Sequence, residues 1–226
     1  MKINVIGDSI AAGFGSSQSI YTDHLIFAGE AAYYRMHAPN GWCAVLQHYF
    51  EEQGRNITFE NNGAPGAYSY EIAAHLGEMI NDSDDAVMIM VGLNDRKRVN
   101  GMNELAHNLD VIISRLKALN KQVILMTPNP SAYFNEYRKD RLYHTDDAAE
   151  VILNAGRKHG VYVIDLYHEI LNYLAAHSLK TEDLIYDNCS LNDGLHPSDK
   201  MYLLMADMIS ENLNNLHVFC KTSEGY

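Results

Sequence analysis

Three residues of this chain have the types and spacing for covalent chemistry: a serine near the start and an aspartate and a histidine near the end. Ser9 lies in "NVIGDSIAAGFG", residues 4 to 15, between an apolar run and a glycine-spaced turn. A serine hydroxyl is a weak nucleophile until a neighbour takes its proton. From its own stretch, Ser9 therefore reads first as the cap of the helix that follows, with Asp8 beside it a structural hydrogen-bonding residue. A base is offered far along the chain, in "NDGLHPSDK", residues 192 to 200, where Asp193 stands three positions before His196. In one tight turn that carboxylate can accept the ring's Nδ1 proton and leave Nε2 facing a hydroxyl. Pro197 closes the turn, and Ser198 is placed to cap a final helix.

Acyl transfer also requires donors aimed at the oxygen that becomes negative in the tetrahedral intermediate. Three are available. One is the backbone N–H of Ser9, at a helix start whose dipole favours an anion. A second is a glycine N–H in "NNGAPGA", from Gly63 or Gly66, where no side chain blocks the approach. The third is the side-chain amide of Asn94 in "GLND". The bases of "DRKRV", residues 95 to 99, read as a solvated loop beside it.

These residues must be positioned by the elements around them. Short apolar runs at residues 3–6, 57–59, 86–91, 123–126 and 161–166 read as five strands. Helical periodicity covers 42–52, 70–80, 102–119 and 147–158, with another helix after 166 and a last one from 199 to about 213. Strict alternation, with strands apolar on both sides such as "AVMIMV", implies a parallel sheet covered by helices on both faces. Ligands in such folds sit beyond the carboxyl ends of the strands, where "GDS", "ENNGAPGAY" and "GLNDRKR" all fall. The connections 16–40 and 129–145 read as long loops of functional length.

The bulk properties narrow the function. At 226 residues, with 47% hydrophobic and 20% charged, the chain reads as one globular domain spanning 1–226. A net charge of -12 disfavours nucleic acid and anionic membrane surfaces as partners. Cys43, Cys189 and Cys220 show no CxxC spacing, which points to reduced thiols and a cytoplasmic setting. No basic segment with a following apolar stretch opens the chain, no run approaches the roughly 18 residues of a membrane span, and residues 221–226 read as a frayed tail. Of eleven histidines, His196 is read as the one with an acidic partner at the right spacing. "HEILN" at His168 lacks the second histidine of a zinc site because Asn172 holds that position, and neither a dinucleotide nor a P-loop fingerprint is present, so no metal and no cofactor are expected. Ala11 breaks the GxSxG elbow of α/β-hydrolases.

Taken together, "GDS" after the first strand, NxGxxG after the second, GxND after the third and DGxHP before the last helix resemble the SGNH (GDSL-type) hydrolase family, with all four blocks in order from about residue 2 to about residue 213. The resemblance implies a three-layer α/β/α, flavodoxin-like sandwich around a five-stranded parallel sheet. It implies Ser9 as nucleophile, Asp193 and His196 as the rest of a triad, and Gly66 and Asn94 as completing an oxyanion hole. Pro65 and Ala67 stand where the family often has serine and aspartate, so Gly63 stays beside Gly66 as the possible donor. The implied substrate is a small-molecule ester, with members ranging from carbohydrate O-acetyl esterases to lysophospholipases, thioesterases and acyltransferases. Acidic charge and tyrosine-rich connections favour a small acyl group, acetyl for example, on an acylated carbohydrate. Tyr21, Phe27, Tyr33 and Tyr34 in one connection and Tyr133, Phe134, Tyr137 and Tyr143 in the other can stack on a sugar, line an acyl pocket or seal the sheet's edge. A sandwich that binds without chemistry is the reading from a different class.

Overall fold

The computed structural model describes residues 1–186 and 191–216; Cys189, Cys220 and the tail 221–226 lie outside the described residues. In chain order the strands are β1 (Lys2–Gly7), β2 (Ile20–Ala28), β3 (Ala32–His37), β4 (Thr58–Gly63), β5 (Ala86–Met90), β6 (Gln122–Met126) and β7 (Tyr162–Ile164). Five of them form one parallel sheet in the order β4-β1-β5-β6-β7. Counted among themselves this is the flavodoxin-like order 2-1-3-4-5, whose direction of winding reverses beside β1 and opens a crevice there.

The strands carry two cores. Along β5, Ala86, Met88 and Met90 join one apolar cluster, with Trp42, Leu46, Ile170, Met201 and Met205. Val87 and Ile89 join another, with Ile72, Leu105, Leu109 and Ile152. The helices α2 (Trp42–Glu52), α8 (Leu166–Ala176) and α10 (Asp199–Asn215) cover the first face. The second is covered by α3 (Ser69–Ala74), α5 (Gly101–Ala118) and α7 (Thr145–His159). The shorter helices are α1 (Ser9–Ala12), α4 (Leu76–Met79), α6 (Tyr133–Glu136) and α9 (Thr181–Ile185). The three-layer α/β/α fold inferred from alternation and family resemblance is the fold observed.

Several details differ from the sequence reading. The connection 16–40 is not an open loop, because β2 and β3 pair as an antiparallel hairpin with register shifts near Leu25. The hairpin is tied down by side chains. Tyr33 donates its hydroxyl to the Glu71 carboxylate at 2.8 and 2.9 Å, and Arg35 bonds Glu60 and Asn62 of β4. The helix expected over 70–80 breaks at His75, whose ring stacks on Phe27 of β2 at 4.7 Å between centroids. β4 runs on to Gly63, beyond the expected 57–59, and β7 ends at Ile164 because Asp165 caps α8 through its side chain.

Candidate active site

Register brings the functional loops together. Gly7 at the end of β1 pairs with Gly63 of β4 on one side and Met90 of β5 on the other. The chain therefore leaves all three strands at one level, beside the point where the winding reverses. Asp8 caps α1, its carboxylate accepting from the Ile10 N–H at 3.0 Å. The cap thus belongs to Asp8 and leaves the Ser9 hydroxyl uncommitted to the helix. Trp42 and Asn61 donate to the Ile10 and Ala11 carbonyls at 3.0 and 2.8 Å, holding the short helix in place.

Ser9 Oγ lies 2.9 Å from His196 Nε2, across 187 positions of sequence. The other ring nitrogen, Nδ1, is 2.7 Å from Asp193 Oδ2. An ionised carboxylate only accepts, so Nδ1 carries the proton and Nε2 is left to accept from the Ser9 hydroxyl. Burial pushes the Asp193 carboxyl up, but its bonds to His196 and to the Leu195 and His196 backbone N–H groups, 3.0 Å each, outweigh this and hold it well below the usual carboxylate range. Phe14 packs its ring edge-on against the imidazole at 5.0 Å.

The turn carrying Asp193 and His196 is held from outside by the segment after β6, a support the sequence reading did not identify. The Asp193, Gly194 and Leu195 carbonyls accept from Asn135 Nδ2 at 3.0 Å, Ala132 N at 2.7 Å and Asn129 Nδ2 at 3.2 Å respectively. The two asparagines in the long connection were the available signal. Ser198 caps α10, as its position suggested.

The glycine loop separates its two candidates. The Gly63 N–H is spent on Asn61 Oδ1 at 2.9 Å, and a Cβ there would meet Ala12 N at 2.4 Å, so this glycine lets α1 approach the sheet. Gly66 has φ +94 with open space around it, and its N–H has no acceptor among the described residues. Asn94 is 7% exposed and directs Nδ2 to the Ala67 carbonyl at 3.0 Å. One amide hydrogen is used there, and the second has no acceptor among the described residues. Lys97 reaches the Asn94 Oδ1 with its ammonium at 3.2 Å.

The neighbours of Asn94 correct the reading of "DRKRV" as solvated. Asp95 is buried and accepts from Ser69 through both N–H and hydroxyl, joining this loop to the start of α3. Arg96 is wholly buried and bonds Glu136, Thr145 and Asn135. Burial lowers the Arg96 guanidinium, and the Glu136 carboxylate works against that shift. The uniqueness assigned to His196 is corrected as well: Asp165 stands three positions before His168, and His168 Nδ1 is 2.7 Å from Asp165 Oδ2. That pair lies at the surface, and among the described residues no hydroxyl bonds its second nitrogen. Nor do any three His, Cys, Asp or Glu side chains among the described residues converge as a metal site.

Asp8 has a consequence for stability. Burial, with Asp95 adding to it against the Ile10 bond, raises its carboxyl to about 6. Below that value the folded protein holds a proton that the unfolded chain releases, so this residue's contribution to stability grows as pH falls through about 6 and is lost as pH rises. Between about pH 5 and about pH 7.5 the wild type is expected to lose about 1.4 kcal/mol more of its unfolding free energy than Asp8→Asn. Urea unfolding of both proteins at the two pH values measures the difference; equal losses would contradict the assignment.

A parallel 2-1-3-4-5 sandwich with a serine after its first strand, a glycine loop after the second, an asparagine after the third and an Asp–His turn before the last helix is the SGNH-type hydrolase class. The GDSL-like Lipase/Acylhydrolase family matches residues 5–204. The chain belongs to that family and is a carboxylic ester hydrolase. It is 21% identical over 213 residues to an arylesterase of Vibrio mimicus, covering 94% of this chain and 88% of that protein. Among solved structures, a lipase/acylhydrolase from Enterococcus faecalis is similar with a TM-score of 0.70 at 23% identity, covering 94% of each chain. The acetyl xylan esterase AlAXEase is similar with a TM-score of 0.71 at 17% identity, over 94% of this chain and 99% of its own. No helix among the described residues is long and apolar enough to cross a membrane.

Proposed function

We propose that this protein is a one-domain serine esterase that removes a small acyl group, acetyl above all, from a polar carrier such as a carbohydrate. The observation that carries the reading is the unbroken line of hydrogen bonds from Ser9 Oγ through the His196 ring to Asp193. In this reading Ser9 Oγ attacks the ester carbonyl while His196 Nε2 takes its proton, and Asp193 stabilises the imidazolium. The carbonyl oxygen becomes negative and is held by the N–H groups of Ser9 and Gly66 and by Asn94 Nδ2. Gly66 is preferred over Gly63 because its N–H alone of the two is unspent. The tetrahedral centre collapses, the carbon–oxygen bond to the alcohol breaks, and the imidazolium gives its proton to the leaving alkoxide. Water then repeats the sequence on the acyl-serine, losing its proton to His196 and releasing the acid.

The acetyl group is supported by the likeness to an acetyl xylan esterase and by a small cleft beside the glycine loop. That cleft, of about 190 Å³, is lined by Tyr21, Ala31, Ala32, Tyr33, Tyr34 and Pro65. A second reading, a longer acyl chain as in a lysophospholipase, is favoured by exposed apolar side chains on both flanks of the histidine. Tyr21, which packs on Phe14, is 54% exposed, and Phe134, against Gly194, is 48% exposed. A series of p-nitrophenyl esters of increasing chain length, run beside acetylated xylooligosaccharides, separates the two. The acetyl reading expects kcat/KM to be highest for acetate and to fall with each added carbon pair. A maximum at eight carbons or more would overturn it.

A further inference from the structure

The charge distribution around Asn94 is unusual for so acidic a chain. Lys97 is an exposed residue, yet its ammonium turns back onto the Asn94 carbonyl oxygen at 3.2 Å. Arg141, whose charge acts on Lys97, has a side chain only 4% exposed that pairs with Asp140 at 2.9 Å, and its Nε has no hydrogen-bond partner among the described residues. The segment carrying Arg141 is fastened to the Asn94 loop: Leu142 N donates to the Arg96 carbonyl at 2.8 Å and the Tyr143 hydroxyl to the Val99 carbonyl at 2.7 Å. An ammonium is thus kept on the oxygen of this carboxamide, with the Arg141 guanidinium and its Asp140 partner both acting on that ammonium, in a molecule of net charge -12.

We propose that Lys97 is a positioning residue of the oxyanion hole, acting through Asn94; this rests on the esterase reading above. A carboxamide can be turned end for end with little change of shape, and only its neighbours decide which end faces the substrate. Here the oxygen end accepts from an ammonium, and the nitrogen end is directed to the Ala67 carbonyl and the side of the glycine loop. A cation on Oδ1 also draws electron density through the amide and makes the remaining N–H a stronger donor. Both effects act on an oxygen that is negative only in the transition state, so they belong in kcat and not in KM. Burial of the ammonium, with the Arg141 guanidinium adding to it, lowers Lys97, in keeping with a charge held close to the protein and not spread into solvent.

The test is a double-mutant cycle read with p-nitrophenyl acetate, using Lys97→Met, Lys97→Arg, Asn94→Ala and the Lys97→Met/Asn94→Ala pair. Lys97→Met is expected to lower kcat about tenfold with KM within about twofold, a fraction of the roughly 10²–10³ that one oxyanion donor supplies. Lys97→Arg keeps a cation at Oδ1 and is expected to restore most of the rate. In the Asn94→Ala background the same Lys97→Met change is expected to cost nothing further, since the group it acts through is gone. A merely structural lysine would lower the rate equally in both backgrounds. Unchanged kcat in Lys97→Met, an equal loss in both backgrounds, or a raised KM with unchanged kcat would each overturn the proposal. If Asn94→Ala alone left kcat untouched, the oxyanion assignment beneath it would fail instead.

Discussion

Ser9→Ala is expected to lower kcat/KM for p-nitrophenyl acetate by about 10⁴- to 10⁶-fold, the cost of removing the nucleophile from a triad that acts as a unit. In the proposed mechanism this residue forms the bond to the acyl carbon, and its hydroxyl lies 2.9 Å from His196 Nε2. What remains should be catalysis by positioning and by the oxyanion donors alone. The fold should tolerate the change. The helix is capped by Asp8, not by Ser9, and alanine has the highest helix propensity. The variant should therefore melt within a few degrees of the wild type while losing all covalent labelling by a fluorophosphonate. Labelling that persisted in Ser9→Ala would remove Ser9 as the nucleophile. p-Nitrophenyl acetate turnover that was absent even in the wild type would favour a sandwich that binds without chemistry.

The second large effect concerns the oxyanion. Asn94→Ala is expected to lower kcat by roughly 10²–10³ with little change in KM, the typical result of deleting one preorganised donor. The reason for confining the loss to kcat is geometric. The ground-state carbonyl oxygen is only weakly negative, whereas the tetrahedral oxygen carries a full charge toward the amide. The loop itself is secured independently of Asn94, since Asp95 is clamped by Ser69 and Arg96 by Glu136. Loss of the Asn94 side chain removes a bond to Ala67 but leaves those anchors. Steady-state kinetics on a folded variant checks it; a proportional rise in KM with kcat intact would make Asn94 a substrate-binding residue and not a transition-state donor.

How much of this was legible depended on the range of the interaction. The strands of the main sheet and the helices over them follow from local periodicity, because both faces of a buried parallel strand must be apolar. The β2–β3 hairpin escaped because its outer face carries exposed Ile20, Tyr21 and Leu25, so inside and outside do not alternate along it. Arg96 was misjudged for a related reason. A charged residue is read as solvated unless its partner is seen, and Glu136 lies 40 positions away.

The site shows the same division. Each block could be found because its chemistry demands particular residue types at short spacing: a serine between a strand and a helix, glycines where the backbone comes close, an amide, and a carboxylate three positions before a histidine. By itself the sequence determined the sandwich, the family resemblance and the residues able to do acyl chemistry. Asp–His spacing alone fits two pairs, at 165 and 168 and at 193 and 196, and only the DGxHP block pointed to the second, while Gly63 stayed beside Gly66 in one loop. In the tertiary structure the two pairs and the two glycines have different surroundings. Strand register brings one imidazole, and not the other, to 2.9 Å from the serine, and a bond to Asn61 occupies the N–H of Gly63 and leaves that of Gly66 open. The physical reason is that spacing along a chain governs only contacts within a turn, while which turns meet is decided by how the sheet is wound and packed.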